Sequence, residues 1–472
     1  MSVIFDAPVQ ASDFRDRRVT IVGLGNGRTA VGIAQFLVAN GARVAISDAK
    51  PRELLATGIA RLGDLPIELV LGPSSDDVAL ADPDYVFVIP GVRPRSATIL
   101  RARQREIPVL TEIGLFFRLC PAEIVGITGT KGKSTTTTLV SRILERGPRH
   151  VLVGGNIGLS VIQELPTLTR DDIVVLELSS FQLETLGVSP HVAVVTNVLE
   201  DHLDHHGTRE GYVAAKGNIL RWQGPRDVAV LNLDDPSTVA LHTGADSELR
   251  GYSLSLRPRR GAHLDGDGKL VLVQGEQREV ICTAADLRVP GSHNISNALA
   301  AAIVGDLYGI PAATIGEAIT SFEGLPHRLE LVAERGGVWW VNDSQGTTPY
   351  ATIPAIAAYT RPPVVILGGV GKGAEFAELG RAVAGRARGA ILIGQAADEI
   401  GAAIDAAKRA NPSSSVRVER AVSLDDAVAR ASAMAEAGDV VLLSPACASY
   451  DMFASYQERG DRFRDLVLAM PS

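Results

Sequence analysis

Cysteine is scarce. The 472 residues hold three, Cys120, Cys282 and Cys447. They are far apart and lack C-x-x-C spacing, which excludes a disulfide framework or a thiolate zinc site and fits a reducing compartment. Long apolar runs are also missing: none reaches the roughly 18 residues of a membrane span. Asp6, Asp13, Arg15, Asp16, Arg17 and Arg18 fall where a signal peptide would carry its apolar core. The expectation is a soluble, cytoplasmic protein. Positive charge is not in excess either. A net charge of −8 with both signs interspersed argues against nucleic acid or an anionic membrane as partner and leaves small molecules. The length suggests about three domains, each able to bury its own core, so a monomer is expected. Lysine is rare as well, with seven among 46 basic residues. That marks each survivor for work arginine cannot do, as a compact charge or a modifiable amine. Lys131, Lys133 and Lys372 sit in glycine loops, and Lys216 follows an acidic and histidine-rich cluster.

The most informative stretch runs from Ile124 to Thr135. An apolar, β-rich run breaks into Gly129-x-x-Gly132-Lys133-Ser134-Thr135 and continues as a helix-compatible Thr-rich segment. Strand, glycine loop and helix start form a phosphate cradle. Backbone N–H groups approach the anion, Lys133 reaches the outer phosphates and Ser134 can ligate Mg²⁺. The strict nucleotide-loop pattern would need glycine where Ile127 stands, so the shorter core carries the reading. Upstream, residues 18–48 read as a βαβ unit with Gly23, Gly25 and Gly27 at the first turn and Asp48 at the end of the second strand. That is a dinucleotide-type start, except that Arg28 replaces its last glycine.

Downstream, a tight loop at Gly154-Gly155-Asn156 precedes the strand Ile173 to Glu177. Glu177 interrupts a run that looks buried, so it must be ion-paired or bound to metal. The next strand runs into Glu200-Asp201-His202-Leu203-Asp204-His205-His206, which reads equally as a solvated loop or a metal site; next to a phosphate loop, a catalytic role beside Mg–nucleotide is the sharper reading. Residues 257–279 read as an exposed hairpin without chemistry. Asn294 and Asn297, at the start of an Ala-rich helix, can present amides to a base or phosphate or can serve as caps. A linker at Gly324 to Glu330 carries Arg328, which can clamp a phosphate. Beyond it, strand ends lead into Asn342-Asp343-Ser344-Gln345, Gly368 to Gly373, and Ser444 to Ser449, all on the expected binding edge of one sheet. Cys447 has no histidine partner in the pattern and reads as packing.

The order of these loops resembles the Mur ligase family, and its glutamate-adding branch most closely, over nearly the whole chain. Three α/β domains are then implied: a Rossmann-like domain at 1–106 for the UDP-substrate, a central P-loop ATPase-like domain at 107–323, and a Rossmann-like glutamate-binding domain at 324–472. By resemblance, Gly25, Asn26, Gly27, Asp48, Asn156 and Ser179 would hold UDP-N-acetylmuramoyl-L-alanine. Gly129, Thr130, Gly132, Lys133, Ser134, Thr135, Asn294, Asn297, Arg328 and Asp343 would hold ATP. Lys372, Ser449 and Tyr456 would surround the glutamate. Lys133, His202, Lys216 and Arg328 would be catalytic. Two Mg²⁺ ions are implied, one near Ser134 and Glu177, the other near His202 and a carbamylated Lys216, where arginine could not substitute. The implied activity is ATP-dependent joining of D-glutamate to that substrate through an acyl phosphate, a step of peptidoglycan synthesis. Gln345 stands where this branch often has lysine, which keeps L-glutamate as an alternative. A folate polyglutamylating ligase shares the central chemistry. A nicotinamide dehydrogenase explains only the first 50 residues, and a non-catalytic nucleotide-binding module leaves Lys216 idle.

Overall fold

The computed structural model describes residues 4–5, 9–25, 27–157, 160–289, 291–371 and 374–470. They fall into two compact units, Met1–Phe322 and Glu323–Ser472.

The first unit holds two sheets. β1 (Arg18–Val22), β2 (Arg43–Asp48), β3 (Ile67–Leu71), β4 (Tyr85–Val88) and β5 (Val109–Thr111) form a parallel sheet of order β3-β2-β1-β4-β5. Alternation of burial is lost in β1 and β4, whose apolar side chains are covered on both faces, as parallel strands require. The helix Arg28–Ala39 connects β1 to β2 and starts at Gly27, whose φ of +87° is left-handed. A Cβ there would lie 2.8 Å from the Gly58 Cα, so a side chain is excluded twice over. Because β5 pairs with β4, the first sheet extends to residue 111 rather than ending at 106.

The second sheet has nine strands: β6 (Glu123–Thr128), β7 (Val151–Gly155), β8 (Ile173–Glu177), β9 (Val192–Val195), β10 (Val228–Asn232), β11 (Glu248–Ser253), β12 (Arg260–Leu264), β13 (Lys269–Gln274) and β14 (Gln277–Thr283). Their order is β14-β13-β12-β11-β10-β9-β6-β8-β7. From β6 the chain builds to one side through β7 and β8, then crosses to β9 on the other. The carboxyl ends of β6 and β9 therefore flank a topological switch point, where an open α/β sheet binds its ligand. The expectation of an exposed hairpin at 257–279 is corrected here. Leu270, Val271, Leu272 and Val273 are all buried, as is Ala262, and the segment extends the central sheet. Apart from Gly261, buried in β12 against Gly251, its Gly, Arg and Asp residues lie in the turns and on the rim, so composition hid an apolar center.

The second unit is a six-stranded sheet of β15 (Glu330–Arg335), β16 (Val338–Asn342), β17 (Pro363–Gly368), β18 (Gly389–Ile393), β19 (Arg417–Arg420) and β20 (Val440–Leu443), ordered β15-β16-β20-β17-β18-β19 and parallel except at β15. Among the described residues no helix is long and apolar enough to cross a membrane.

Candidate active site

The loop between β6 and the helix Lys133–Leu144 is built from both sides of the switch point. Gly129 and Gly132 hold φ of +153° and +85°. A Cβ at the first would strike the Thr196 hydroxyl and at the second the Asn297 amide. Behind the loop, the residues after β9 grip its backbone: Thr196 Oγ1 donates to the Lys131 carbonyl at 2.6 Å, and the Asn197 side chain donates to that carbonyl at 3.0 Å and accepts from the Lys131 N–H at 2.9 Å. Lys131 thus contributes its backbone to the site while its side chain is exposed. Lys133 Nζ folds back to donate to the Gly129 and Thr130 carbonyls, at 2.8 and 3.1 Å. Ser134 and Thr135 occupy the first helical turn behind it.

Asn294 and Asn297 lie inside the helix Ser292–Leu307, whose N-cap is Gly291, so neither caps it. Asn297 is buried against Gly132 and accepts from Thr136 Oγ1 at 3.3 Å. Asn294 and Thr135 border a cleft of about 220 Å³ with Leu139, Leu287, Ala298 and Phe322, an apolar slot next to the phosphate loop.

Across the loop stand the groups whose burial needs explaining. Glu177, at the end of β8, is 2 % exposed. Its Oε1 accepts from Asn156 Nδ2 at 2.8 Å, while Oε2 is buried with no partner. No ion pair offsets it among the described residues, and a buried carboxylate oxygen beside a phosphate loop is a fitting ligand for a hard cation. The helix Arg209–Gly217 presents Tyr212 and Lys216 one turn apart on one face. Tyr212 hydrogen-bonds Thr130 Oγ1 at 2.9 Å, and the Lys216 ammonium lies 4.8 Å from the Tyr212 ring center. Lys216 is 1 % exposed and donates to the Gly129 carbonyl at 2.8 Å, the same oxygen that Lys133 uses. Burial holds the Lys216 amine well below the ordinary lysine range. The Lys133 cation adds to the depression, and Asp201 and Glu177 oppose it. His202, with a left-handed φ of +50°, is half-exposed, stacks near Phe181 and faces Asp201 at 3.8 Å.

At the carboxyl edge of the first sheet, Asp48 accepts from the Leu24 and Gly25 N–H groups at 2.9 and 3.3 Å and so pins the glycine loop. Gly25 and Gly27 take left-handed backbone there; Asn26 lies outside the described residues. A cavity of about 370 Å³ opens beside this edge between Val88, Pro90, Thr111, Glu112, Phe181 and Gln182. Ser179 caps the short helix Ser180–Leu183 that forms one wall.

In the second unit, Asp343 follows β16 with both oxygens engaged, by the Leu329 N–H at 3.2 Å and the Ser444 hydroxyl at 2.6 Å. Burial pushes its carboxyl up to about 6. Arg328 Nε donates to Gln345 Oε1 at 3.1 Å. Ser449 is buried, Tyr456 opens the helix Tyr456–Leu468 and its carbonyl accepts from Ser344 Oγ at 2.8 Å, and Lys372 lies outside the described residues.

Three family models cover successive stretches of the chain: a MurD-like Mur ligase N-terminal domain over residues 17–111, the Mur ligase middle domain over 127–305, and the Mur ligase glutamate ligase domain over 327–447. A protein of Pelotomaculum thermopropionicum is 40% identical over 97% of this chain and 99% of its own length. The chain belongs to the Mur ligase family. That relative is named UDP-N-acetylmuramoylalanine–D-glutamate ligase, as is one from Symbiobacterium thermophilum, 40% identical over 96% of this chain and 98% of its own. Among solved structures, the UDP-N-acetylmuramate–alanine ligase of Thermotoga maritima shares the fold with a TM-score of 0.58 at 21% identity, covering 96% of this chain and 99% of that one.

Within the family's frame, two contacts are not legible in the sequence, which marks Asn156 only by resemblance as a substrate residue and Arg459 only by resemblance to the glutamate-adding branch. Asn156, directly after β7, donates to Glu177 at the end of the paired strand β8, a contact that spacing does not encode. Arg459 is 1 % exposed and donates to the Ser344 hydroxyl at 2.9 Å, the Ser344 carbonyl at 2.8 Å and the Cys447 carbonyl at 3.2 Å. It ties together the loops after β16 and β20. Burial lowers it to about 10, with Cys447 and the Asp451 carboxylate opposing the shift.

Proposed function

We propose that this chain joins glutamate to UDP-N-acetylmuramoyl-L-alanine with cleavage of ATP to ADP and phosphate. Besides the kinship, one observation carries the reading. The loop carbonyl of Gly129 gathers two lysines, Lys133 and a buried, depressed Lys216, opposite the unpartnered Glu177 oxygen. A phosphate loop alone explains Lys133. It does not explain a second buried amine and an orphan carboxylate.

In this reading Gly129, Thr130, Gly132, Lys133, Ser134 and Thr135 receive the triphosphate, with Lys133 exchanging its loop carbonyls for phosphate oxygens. Asn294 and Asn297 border the nucleotide, with the base in the apolar slot. Gly25, Asn26, Gly27, Asp48, Asn156 and Ser179 serve the UDP-substrate, and the adjoining cavity takes part of it. Arg328 and Asp343 serve ATP, and Lys372, Ser449 and Tyr456 serve glutamate. Ser134 with Glu177, and His202 with Lys216, would hold two Mg²⁺ ions, which supply charge screening between the reacting anions. Lys216 suits that second place because the neutral amine, favored by its burial, is the form that adds CO₂ and, on losing a proton, becomes an anionic carbamate.

The substrate carboxylate oxygen attacks the γ-phosphorus as the bond to ADP breaks. The glutamate nitrogen then attacks the acyl carbon, phosphate departs, and one amine proton is released. Acyl phosphates hydrolyse readily, so water must be kept from the site. With these substrates the reaction is expected in the cytoplasm, and the chain is expected to act as a monomer. L-glutamate is the alternative amino acid, because Gln345, which adjoins the expected amino-acid pocket, pairs with Arg328 where the branch often carries lysine.

The test is phosphate release with UDP-N-acetylmuramoyl-L-alanine and ATP. Release that requires D-glutamate supports the reading and release that requires L-glutamate supports the alternative. Release stimulated by a pterin in place of the UDP-substrate would overturn both.

A further inference from the structure

Glu184, His205 and His206 have no part in the proposed reaction, although the two histidines close the acidic and histidine-rich cluster that the sequence marks as a candidate metal site. Among the described residues they are the group whose histidine and carboxylate ligand atoms converge, all within 4.8 Å of one another. Glu184 ends the helix Ser180–Leu183, and the two histidines end the short helix Leu203–His206. One carboxylate oxygen, Glu184 Oε2, is faced by His205 Nε2 at 2.9 Å and by His206 Nδ1 at 3.8 Å. Ligand atoms on a tetrahedral cation with bonds of about 2.0–2.1 Å lie about 3.3 Å apart, so these two separations straddle the required spacing.

Two further features favor a cation over a plain hydrogen-bonded cluster. The far nitrogen of His206, Nε2, is 3.0 Å from the Ser180 hydroxyl. When that nitrogen carries the proton, the His206 Nδ1 lone pair points toward a carboxylate too distant for a hydrogen bond, and a cation between them resolves the clash of lone pairs. An outer hydrogen bond of this kind is also what fixes the tautomer of a ligating imidazole. The rings are held in place beforehand: Phe181 packs against His205 and His206 with centers 4.4 and 5.6 Å away, and the His206 side chain is 1 % exposed. Glu184 remains partly open, leaving the fourth position to water.

We propose that Glu184, His205 and His206 form a binding site for one borderline transition-metal cation of the zinc or cobalt class, separate from the Glu177 and Lys216 region. Two imidazoles and a carboxylate select such ions over Mg²⁺, which prefers oxygen and keeps its waters. The ion would join the helix after Ser179 to the helix that follows His202.

Cobalt titration of the full chain, stripped with chelator and kept in millimolar Mg²⁺, reads this directly. One Co²⁺ per chain should bind with visible d–d absorption of a low-coordinate site, and one equivalent of Zn²⁺ should displace it and raise the melting temperature. Glu184→Gln and His205→Gln, tested separately, should each weaken binding at least tenfold, while Glu177→Gln leaves it unchanged. Absence of the cobalt spectrum in the unmodified chain would overturn the proposal. So would binding that is lost in Glu177→Gln and kept in both other variants.

Discussion

Lys216 carries the strongest residue-level claim. Its amine is buried, faces another cation and is held well below the lysine range, an arrangement a surface-charge role would never require. Lys216→Arg is therefore expected to abolish glutamate-dependent phosphate release, by at least about 10³-fold, because a guanidinium cannot become a carbamate. Retention of activity above a tenth of the unmodified rate would remove that role. Asp343 gives a second prediction. Its pKa rises to about 6 on folding, so the folded chain binds the proton more tightly than the unfolded one. The resulting stability is present below the unfolded value and is lost as pH climbs through about 6. Asp343→Asn lacks this dependence. Denaturant titration should show the stability of the unmodified protein, relative to Asp343→Asn, falling by about 2 kcal/mol between pH 4.5 and 7.5; an equal difference at both pH values would contradict it. Lys216 and Glu177 were legible in the sequence because each broke a local rule, a lysine in a lysine-poor chain and a carboxylate in an apolar strand. Asn156 and Arg459 broke none, since asparagine in a loop is ordinary until the fold sets it against Glu177, and arginine in a helix until the fold buries it.

At the scale of elements, the phosphate loop depends on backbone shape. Gly132 stands in left-handed conformation against Asn297, and a non-glycine residue there costs roughly 1–2 kcal/mol in strain alone. Gly132→Ala should raise the ATP Kd at least tenfold and lower the melting temperature modestly through that strain, checked by nucleotide titration and calorimetry. Unaltered ATP affinity would show that the loop does not hold phosphate. This loop and the first βαβ unit were readable because glycine spacing records backbone geometry. The extent of the central sheet was not. At Leu270 to Val273 both faces of the strand are buried, so the alternation that marks a hairpin strand is absent, and the polar turns on either side dominate the composition. The helix Ser292–Leu307 likewise starts earlier than its apolar residues indicate, because its first turns carry the polar Ser292, His293, Asn294, Ser296 and Asn297, of which Asn294 and Asn297 lie beside the phosphate loop and its slot.

At the scale of the molecule, the first unit joins its two sheets through a buried carboxyl. Glu112, which follows β5, accepts from the Ser160 hydroxyl and from the backbone of Ile162 and Val161 on the central side, and it also lines the cavity beside the first sheet. Glu112→Ala leaves those donors buried without an acceptor, a loss of roughly 1–3 kcal/mol. A melting transition lowered in Glu112→Ala and largely restored in Glu112→Gln is expected, whereas equal melting of all three would deny Glu112 this part. Domain number followed from the length and, with the fold class, from the resemblance to the family, but which loops meet across sheets is a property of the folded whole. The central claim, that phosphate passes to a substrate carboxylate, has a direct isotopic readout. With ¹⁸O in the terminal carboxylate of UDP-N-acetylmuramoyl-L-alanine, one labeled oxygen is expected in the phosphate released during turnover. Phosphate free of the label would contradict an acyl phosphate and the function built on it.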